Sequence, residues 1–464
     1  MSEQSLRILQ VSTYDTIGGA EKVAWNLFQA YRERGYGSWL AVGHKLGGDP
    51  DVFPIPNDKQ RGSWSRFWMN KYSNLESTTR QPNGESRLRS LFKVLAEPGR
   101  AIDHYRGIED FRFPGTGELL KLTPYSPDIL HCHNLHGSYF DLRALPWLSR
   151  QVPLILTLHD AWLLSGHCAH SFGCERWKIG CGHCPDLRIE PPVVRDATAY
   201  NWKRKRTIYE QSQIYVSTPS QWLMKKTEQS ILAPAIVESR VIPNGVDLTI
   251  FHPSDKSRIR SLLNIPQEAA VLLFAAYNVR NNIWKDYQTL RTAIDLVGKQ
   301  LEGRETLFIA LGEDAPPERI GQAELRLIPY QKDSAMVACY YQAADLYVHA
   351  AKADTFPNTI LESLACGTPV VATAVGGIPE QIMDALTGRL TPAGDAQALA
   401  SRILELLSDD MCRKNMSIAA AEDARLRFNL QSQVDTYLEW YQMLVQKEQH
   451  ALPLSERLTA SAYR

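Results

Sequence analysis

The chain has no apolar run near the ~20 residues needed to cross a bilayer as a helix. Its apolar stretches, such as Val271–Tyr277 and Leu154–Leu158, are strand-length. It has no surplus of charge either: 51 Lys and Arg balance 51 Asp and Glu, so no net field argues for nucleic acid or an acidic polymer as partner. No tandem repeat and no low-complexity tract interrupts it. The opening residues, MSEQSLRILQVS, lack the basic-then-apolar layout of a secretory signal. The expectation is a cytoplasmic protein, with peripheral contact at the inner face of a membrane left open.

What is present is an alternation of elements. At 464 residues and 44% apolar composition, the chain is too long for one ordinary core and is expected to fold as two or three domains. Strands are expected near Leu6–Ser12, Ser38–Gly43, Asp128–His131, Leu154–Leu158 and Ile214–Thr218, with a helix over Gly18–Gly35 and another capped by Ser220. The plan repeats with strands near Val271–Tyr277, Thr306–Leu311, Leu325–Ile328, Leu346–His349 and Pro369–Thr373. Strands alternating with helices imply parallel, doubly wound sheets. Val241–Asp247, VIPNGVD, contains an Asn-Gly turn and reads as a hinge between two such lobes. The last strong helical pattern, Gln431 to Val445, is rich in aromatics.

The most informative segment is Ala353–Ile382, ADTFPNTILESLACGTPVVATAVGGIPEQI. Asp354 precedes Glu362 by eight residues, with a Pro357-Asn358-Thr359 helix start between them. A helix N-terminus offers unpaired N–H groups and the positive end of the macrodipole, which suits a diphosphate. A carboxylate a turn further on can accept hydrogen bonds from sugar hydroxyls. An ordinary loop–helix–strand with capping acids is the alternative.

This string resembles the donor-binding signature of retaining glycosyltransferases of family four. These have the GT-B fold, two Rossmann-like lobes of doubly wound parallel sheet facing across a cleft. The shared run is Gly367-Thr368-Pro369-Val370-Val371 followed by Gly376-Gly377-Ile378-Pro379-Glu380. Asp354 stands where the family carries glutamate, one methylene longer. The resemblance implies an N-terminal acceptor lobe over 1–245 with insertions near 50–125 and 161–186. A donor lobe would span 246–425, and in 426–464 a helix would return to the first lobe ahead of a tail.

Other positions match the family's pattern in turn. Gly18 and Gly19, at the first strand–helix turn, correspond to a loop against the donor diphosphate. His133, Asn134 and His136 follow Asp128-Ile129 at a strand end and border the implied acceptor cleft. His159, ahead of Asp160, corresponds to a histidine that contacts the donor sugar. Arg280 and Lys285 are directed in the family at the diphosphate leaving group, although the family's glycine before the arginine is Val279 here. Fixed cations there make chemical sense, because cleavage builds charge on the departing nucleoside diphosphate. Gly312 begins a loop beside the nucleotide. His159, Asp354, Glu362 and Lys285 are the expected catalytic set.

Two insertions carry their own signals. Residues near 50–125 mix bases and aromatics, among them Trp64, Arg66, Phe67, Trp68, Lys71, Tyr72, Arg87, Arg89, Phe92 and Lys93. They read either as a flap for an anionic membrane or, preferably, as a solvated basic helix pair whose aromatics pack on the lobe. The second insertion reads HCAHSFGCERWKIGCGHCP, and it holds four of the eight cysteines in the chain. Cys168, Cys174, Cys181 and Cys184 would satisfy a closed structural zinc site, preferred here over reduced or paired cysteines. No catalytic metal is expected, since no DxD-like motif falls in a convincing position.

The expectation is therefore a retaining glycosyltransferase. It would move a sugar from a nucleotide-diphosphate sugar to a saccharide or lipid-linked acceptor in bacterial polysaccharide biosynthesis. The alternatives are a nucleotide-sugar epimerase of related fold and a catalytically inactive GT-B scaffold.

Overall fold

The structure, a computed structural model, describes residues 5–78, 87–301 and 303–451, with the side chains of 72–90 and 449–451 left aside. Tyr72, Arg87 and Arg89 thus lie outside the described side chains, and the tail beyond 451 lies outside the described residues. Contacts divide the chain into two units. The first comprises Met1–Thr218, Met224–Val241 and Tyr437–Arg464; the second comprises Pro219–Leu223 and Ile242–Thr436.

The first unit is built on β1 (Arg7–Tyr14), β2 (Gly37–His44), β3 (Val52–Pro54), β4 (Ile129–His133), β5 (Leu154–Thr157), β6 (Ile214–Thr218) and β7 (Ile236–Val241). They form one sheet in the order β3-β2-β1-β4-β5-β6-β7, every pairing parallel. The second unit repeats this with β8 (Ala270–Ala275), β9 (Thr306–Leu311), β10 (Glu318–Ile320), β11 (Ala323–Ile328), β12 (Leu346–His349), β13 (Val370–Thr373) and β14 (Gly388–Thr391). Its order is β10-β11-β9-β8-β12-β13-β14, antiparallel only at β10–β11.

Parallel sheets carry helices on both faces, so their strands are buried on both sides. In β8, Val271, Leu273 and Ala275 join one core cluster while Ala270, Leu272 and Phe274 join the other. That is the period of two expected of a strand. Chain order reverses between β1 and β4 in the first sheet and between β8 and β12 in the second. Each reversal opens a crevice beyond the carboxyl ends of those strands, where ligands bind in doubly wound folds.

The aromatics of the insertion pack chiefly on one another. Trp68 lies 5.5 Å from Phe92 between helices Ser63–Thr78 and Arg87–Ala96, and the Trp64 indole donates to the Leu95 carbonyl at 2.9 Å. Trp64 and Phe67 nonetheless remain 62% and 54% exposed, which departs from the expectation that they pack on the lobe. Among the described residues no helix is long and apolar enough to cross a membrane.

The helix Leu430–Ala451 changes unit along its length, with Tyr437 onward assigned to the first. Tyr437 donates or accepts at Thr157 Oγ1 and Ser217 Oγ, both 3.0 Å away. Tyr441 Oη lies 2.6 Å from His131 Nδ1 and 3.2 Å from Tyr31 Oη. The helix thus satisfies polar groups buried within the first sheet, which would otherwise be costly.

Candidate functional site

In the second unit, the carboxyl end of β12 places His349, and the loop after it places Asp354. The loop after β8 carries Lys285 to the same point. Lys285 Nζ donates to Asp354 Oδ2 at 2.5 Å and lies 3.1 Å from His349 Nε2, while His349 Nε2 is 3.3 Å from the same oxygen. The far ring nitrogen, Nδ1, is 3.0 Å from the Tyr347 hydroxyl. Burial, reinforced by the Lys285 charge, lowers His349 to about 4, so it is neutral at pH 7. Burial alone would raise Asp354, but Lys285 and His349 hold it far below the usual carboxylate range. The cluster is therefore an ammonium against a carboxylate with a neutral imidazole beside them.

The helix Asn358–Ala365 begins just beyond. Its N-cap is Pro357, which offers no side-chain acceptor to the first-turn N–H groups. Asn358 Oδ1 accepts from Asn244 Nδ2 at 2.9 Å, fixing the start of the helix, and Thr359 follows it. Glu362, one turn in, is buried and accepts from the Tyr341 hydroxyl at 3.1 Å. Gly376, in the following turn, has a φ of +57°, and a methyl there would collide with the Asp354 carbonyl oxygen. The two halves of the signature are thus packed backbone against backbone.

Arg280 is drawn elsewhere. Its guanidinium pairs with Glu313, which also accepts the Arg280 backbone N–H at 2.9 Å. Glu313 follows Gly312 at the end of β9, so Arg280 and Gly312 share one edge of the crevice while Lys285 sits with Asp354. Glu380, last of the GGIPE run, accepts from the N–H groups of Gln221 and Trp222 at 2.7 Å each. It stabilises the start of helix Gln221–Glu228 through its dipole.

In the first unit a second group gathers at the carboxyl ends of β1, β4 and β5. His133 Nδ1 is 3.1 Å from His159 Nε2, and His133 Nε2 is 3.0 Å from the Gln10 side-chain oxygen Oε1. With the Gln10 oxygen as acceptor, Nε2 carries the His133 proton and Nδ1 accepts from His159. Burial lowers His159 to about 4 and His131 to about 3, and takes His133 well below its ordinary value. His136 behaves oppositely. Burial would lower it, but Asp160, 2.6 Å away, raises it overall. Asp160 is itself held low by His136 against the effect of burial.

Glu21, in the first turn of helix Gly19–Glu33, is raised by burial and senses both His136 and Asp160. Its carboxylate lies against Gly18, whose φ of +108° and lack of Cβ make room for it. Asn134, at φ 30°, supplies the carbonyl that accepts the Tyr139 hydroxyl at 2.7 Å. Sequence reasoning did not assign roles to His349, Glu21 or Asp160. A histidine closing a buried strand five residues before Asp354 was the available signal for the first.

The cysteines of the second insertion form a further cluster in the first unit. Cys168, Cys174, Cys181 and Cys184 are unpaired thiols lining one pocket. Among the described residues, no group of three or more His, Cys, Asp or Glu side chains is already gathered around an ion position.

Two family models match the chain: "Glycosyltransferase Family 4" over residues 17–250 and "Glycosyl transferases group 1" over residues 269–409. A relative from Escherichia coli K12, the "putative colanic acid biosynthesis glycosyl transferase WcaC", is 24% identical over 95% of this chain and 100% of its own. A D-inositol 3-phosphate glycosyltransferase of Catenulispora acidiphila is 31% identical over 76% of this chain and 80% of its own. Among solved structures, Anabaena HepE in complex with UDP-glucose superposes with a TM-score of 0.59 at 17% identity, covering 95% of this chain and 100% of that one. Sucrose-phosphate synthase from Thermosynechococcus elongatus gives 0.60 at 18% identity, covering 95% and 99%. Two doubly wound sheets, these superpositions and both models lead to one statement: the chain belongs to the glycosyltransferase family that the two models describe, and its fold is GT-B.

Proposed function

We propose that the chain transfers a sugar, with retention at the anomeric carbon, from a nucleotide-diphosphate sugar to a saccharide or lipid-linked acceptor in bacterial polysaccharide biosynthesis. The observation that carries this is the Lys285 ammonium beside a helix start that has no side-chain cap. Together they offer a fixed cation and oriented N–H groups to a diphosphate. The WcaC relative and the UDP-glucose complex of HepE support the donor class and the setting.

In this reading the bond between the anomeric carbon and the diphosphate breaks with its electron pair staying on phosphate. Lys285 and the helix start, assigned at Pro357, Asn358 and Thr359, stabilise that charge. The acceptor oxygen attacks from the same face and passes its proton to the departing phosphate oxygen. Glu362, steadied by Tyr341, and Asp354 hold donor hydroxyls. Asp354 meets Lys285 and His349 through Oδ2, so Oδ1 is the oxygen assigned to the sugar. His133, Asn134 and His136 serve the acceptor side, and His159 is assigned to the donor sugar. Neutral His159 suits a hydrogen bond to a hydroxyl better than a charge would. Exposed Trp64 and Phe67 fit an acceptor presented at a membrane surface.

Release of nucleoside diphosphate from a panel of UDP-, GDP- and ADP-sugars, with and without a mixture of undecaprenyl-linked saccharides, tests the reading. Loss of one preorganised charge typically lowers turnover by about 10²–10³. Lys285→Ala and Glu362→Ala should fall in that range while the folded state survives. Full activity in both variants would reject it, and interconversion of the donor without acceptor would favour an epimerase.

A further inference from the structure

The segment from Cys168 to Ala197 joins β5 and its short helical turn to the helix Thr198–Tyr209, and hydrophobic burial does little to hold it. Its regular structure is one 3-10 turn, Arg176–Lys178, and Trp177 is its sole buried apolar side chain. A stretch of this kind cannot bury enough apolar surface to offset the entropy of ordering it. Yet it carries left-handed backbone at Cys181 and His183, with Gly180 and Gly182 also at positive φ, in the run GCGHC. Such a conformation persists only when the surroundings over-determine it.

We propose that Cys168, Cys174, Cys181 and Cys184 close around one zinc ion as a four-sulfur structural centre that orders this segment. All four thiols line a single pocket. Each is within electrostatic reach of at least one of the others, with Cys168 and Cys174 common to most of these pairings. Groups that stabilise thiolates are in place around them. The Gly166 N–H donates to Cys181 Sγ at 3.3 Å. His167 Nδ1 lies 3.2 Å from the Pro191 carbonyl, so Nδ1 carries the proton and the Nε2 lone pair faces Cys184 Sγ at 3.3 Å.

The charge around the group is mixed, with Asp186 and Asp196 near Cys184 and cations near the other sulfurs. Four thiolates around Zn²⁺ leave two negative charges, which need cations nearby when partly buried. Lys205, fully buried and ion-paired to Glu109, lies within reach of Cys168 and Cys181. Lys226 is within reach of Cys168 and Cys174, and Arg176 lines the pocket. The sulfurs are not in metal-holding geometry in the structure, so in this proposal metal binding is coupled to ordering of the segment. Four sulfur ligands leave no open position, so the centre is structural and independent of the sugar-transfer chemistry proposed above.

The full chain, purified with reductant and with any affinity tag removed, should carry about one zinc per chain by plasma mass spectrometry. Exchange with cobalt chloride should give the intense thiolate-to-cobalt absorbance and the visible bands of a tetrahedral site. Cys181→Ser with Cys184→Ser should remove the metal and make the 168–197 segment the first site of proteolysis, whereas Cys339→Ser, in the other unit, should keep it. If the double variant does not fold, metal content and cobalt spectrum of the unaltered chain decide. Less than about 0.1 zinc per chain after incubation with zinc chloride, or disulfides among these four cysteines in peptide maps, would overturn the proposal.

Discussion

The buried histidines of the first unit make its stability depend on pH in a calculable way. His131, His133 and His159 are all held neutral by burial, with His131 near 3 and His159 near 4. In the unfolded chain each returns to about 6.5. Between those values the unfolded state binds protons that the folded state refuses, so stability rises with pH and falls on acidification. At pH 5.5 each such histidine costs about 1.4 kcal/mol relative to pH 7.5, and the three together about 4 kcal/mol. Several groups, Glu448 raised by burial among them, act in the opposite sense. His136 is raised by Asp160 against the effect of burial, and Glu21 and Glu109 are raised by burial, so the folded state keeps protons at these sites. A net loss of about 2–4 kcal/mol is expected, a large share of a typical domain stability of about 5–15 kcal/mol. Urea unfolding followed by tryptophan fluorescence at pH 7.5 and 5.5 measures it. An unfolding midpoint at pH 5.5 equal to or above that at pH 7.5 would refute the reasoning.

Three further outcomes are expected. Asp354→Asn strands a mostly buried Lys285 ammonium and should destabilise the second unit by about 3 kcal/mol; Asp354→Asn with Lys285→Met should recover much of that in the same melt, and a double variant no better than the single would argue against a coupled pair. Gly376→Ala forces the turn away from Asp354 and should lower donor affinity at least about tenfold by calorimetry, an effect of about 1.4 kcal/mol, whereas wild-type affinity would mean the collision is absorbed elsewhere. Trp64→Ala with Phe67→Ala should leave thermal stability nearly unchanged, because both are largely exposed, while weakening flotation with anionic phosphatidylglycerol vesicles; equal flotation would remove these residues from any membrane contact.

Much of the fold was legible because parallel strands buried on both faces read as continuous apolar runs. Ile214–Thr218, Thr306–Leu311 and Leu346–His349 were expected with the observed bounds. The strands that were not expected are β3, β7, β10 and β14, which are the edges of the two sheets. An edge strand is paired on one side only and needs no apolar pattern, and β7, IVESRV, and β10, ERI, read as polar. At the site, short-range chemistry was visible: a helix start, an acid before it, cations after a strand. Pairing was not. Nothing in the spacing couples Lys285 to Asp354, 69 residues on, or Arg280 to Glu313, because the fold alone brings those loops together.

The two tyrosines near the end of the chain bear on how the protein is made. Tyr437 and Tyr441 complete hydrogen bonds to Thr157, Ser217 and His131, groups that emerge from the ribosome hundreds of residues earlier. Until that helix is synthesised, these groups have one another, with His131 Nε2 and Ser217 Oγ each 2.6 Å from Thr157 Oγ1, but lack the tyrosine hydroxyls. A nascent chain stalled before Tyr437 carries the first sheet without the two tyrosine hydroxyls that bond its buried polar groups.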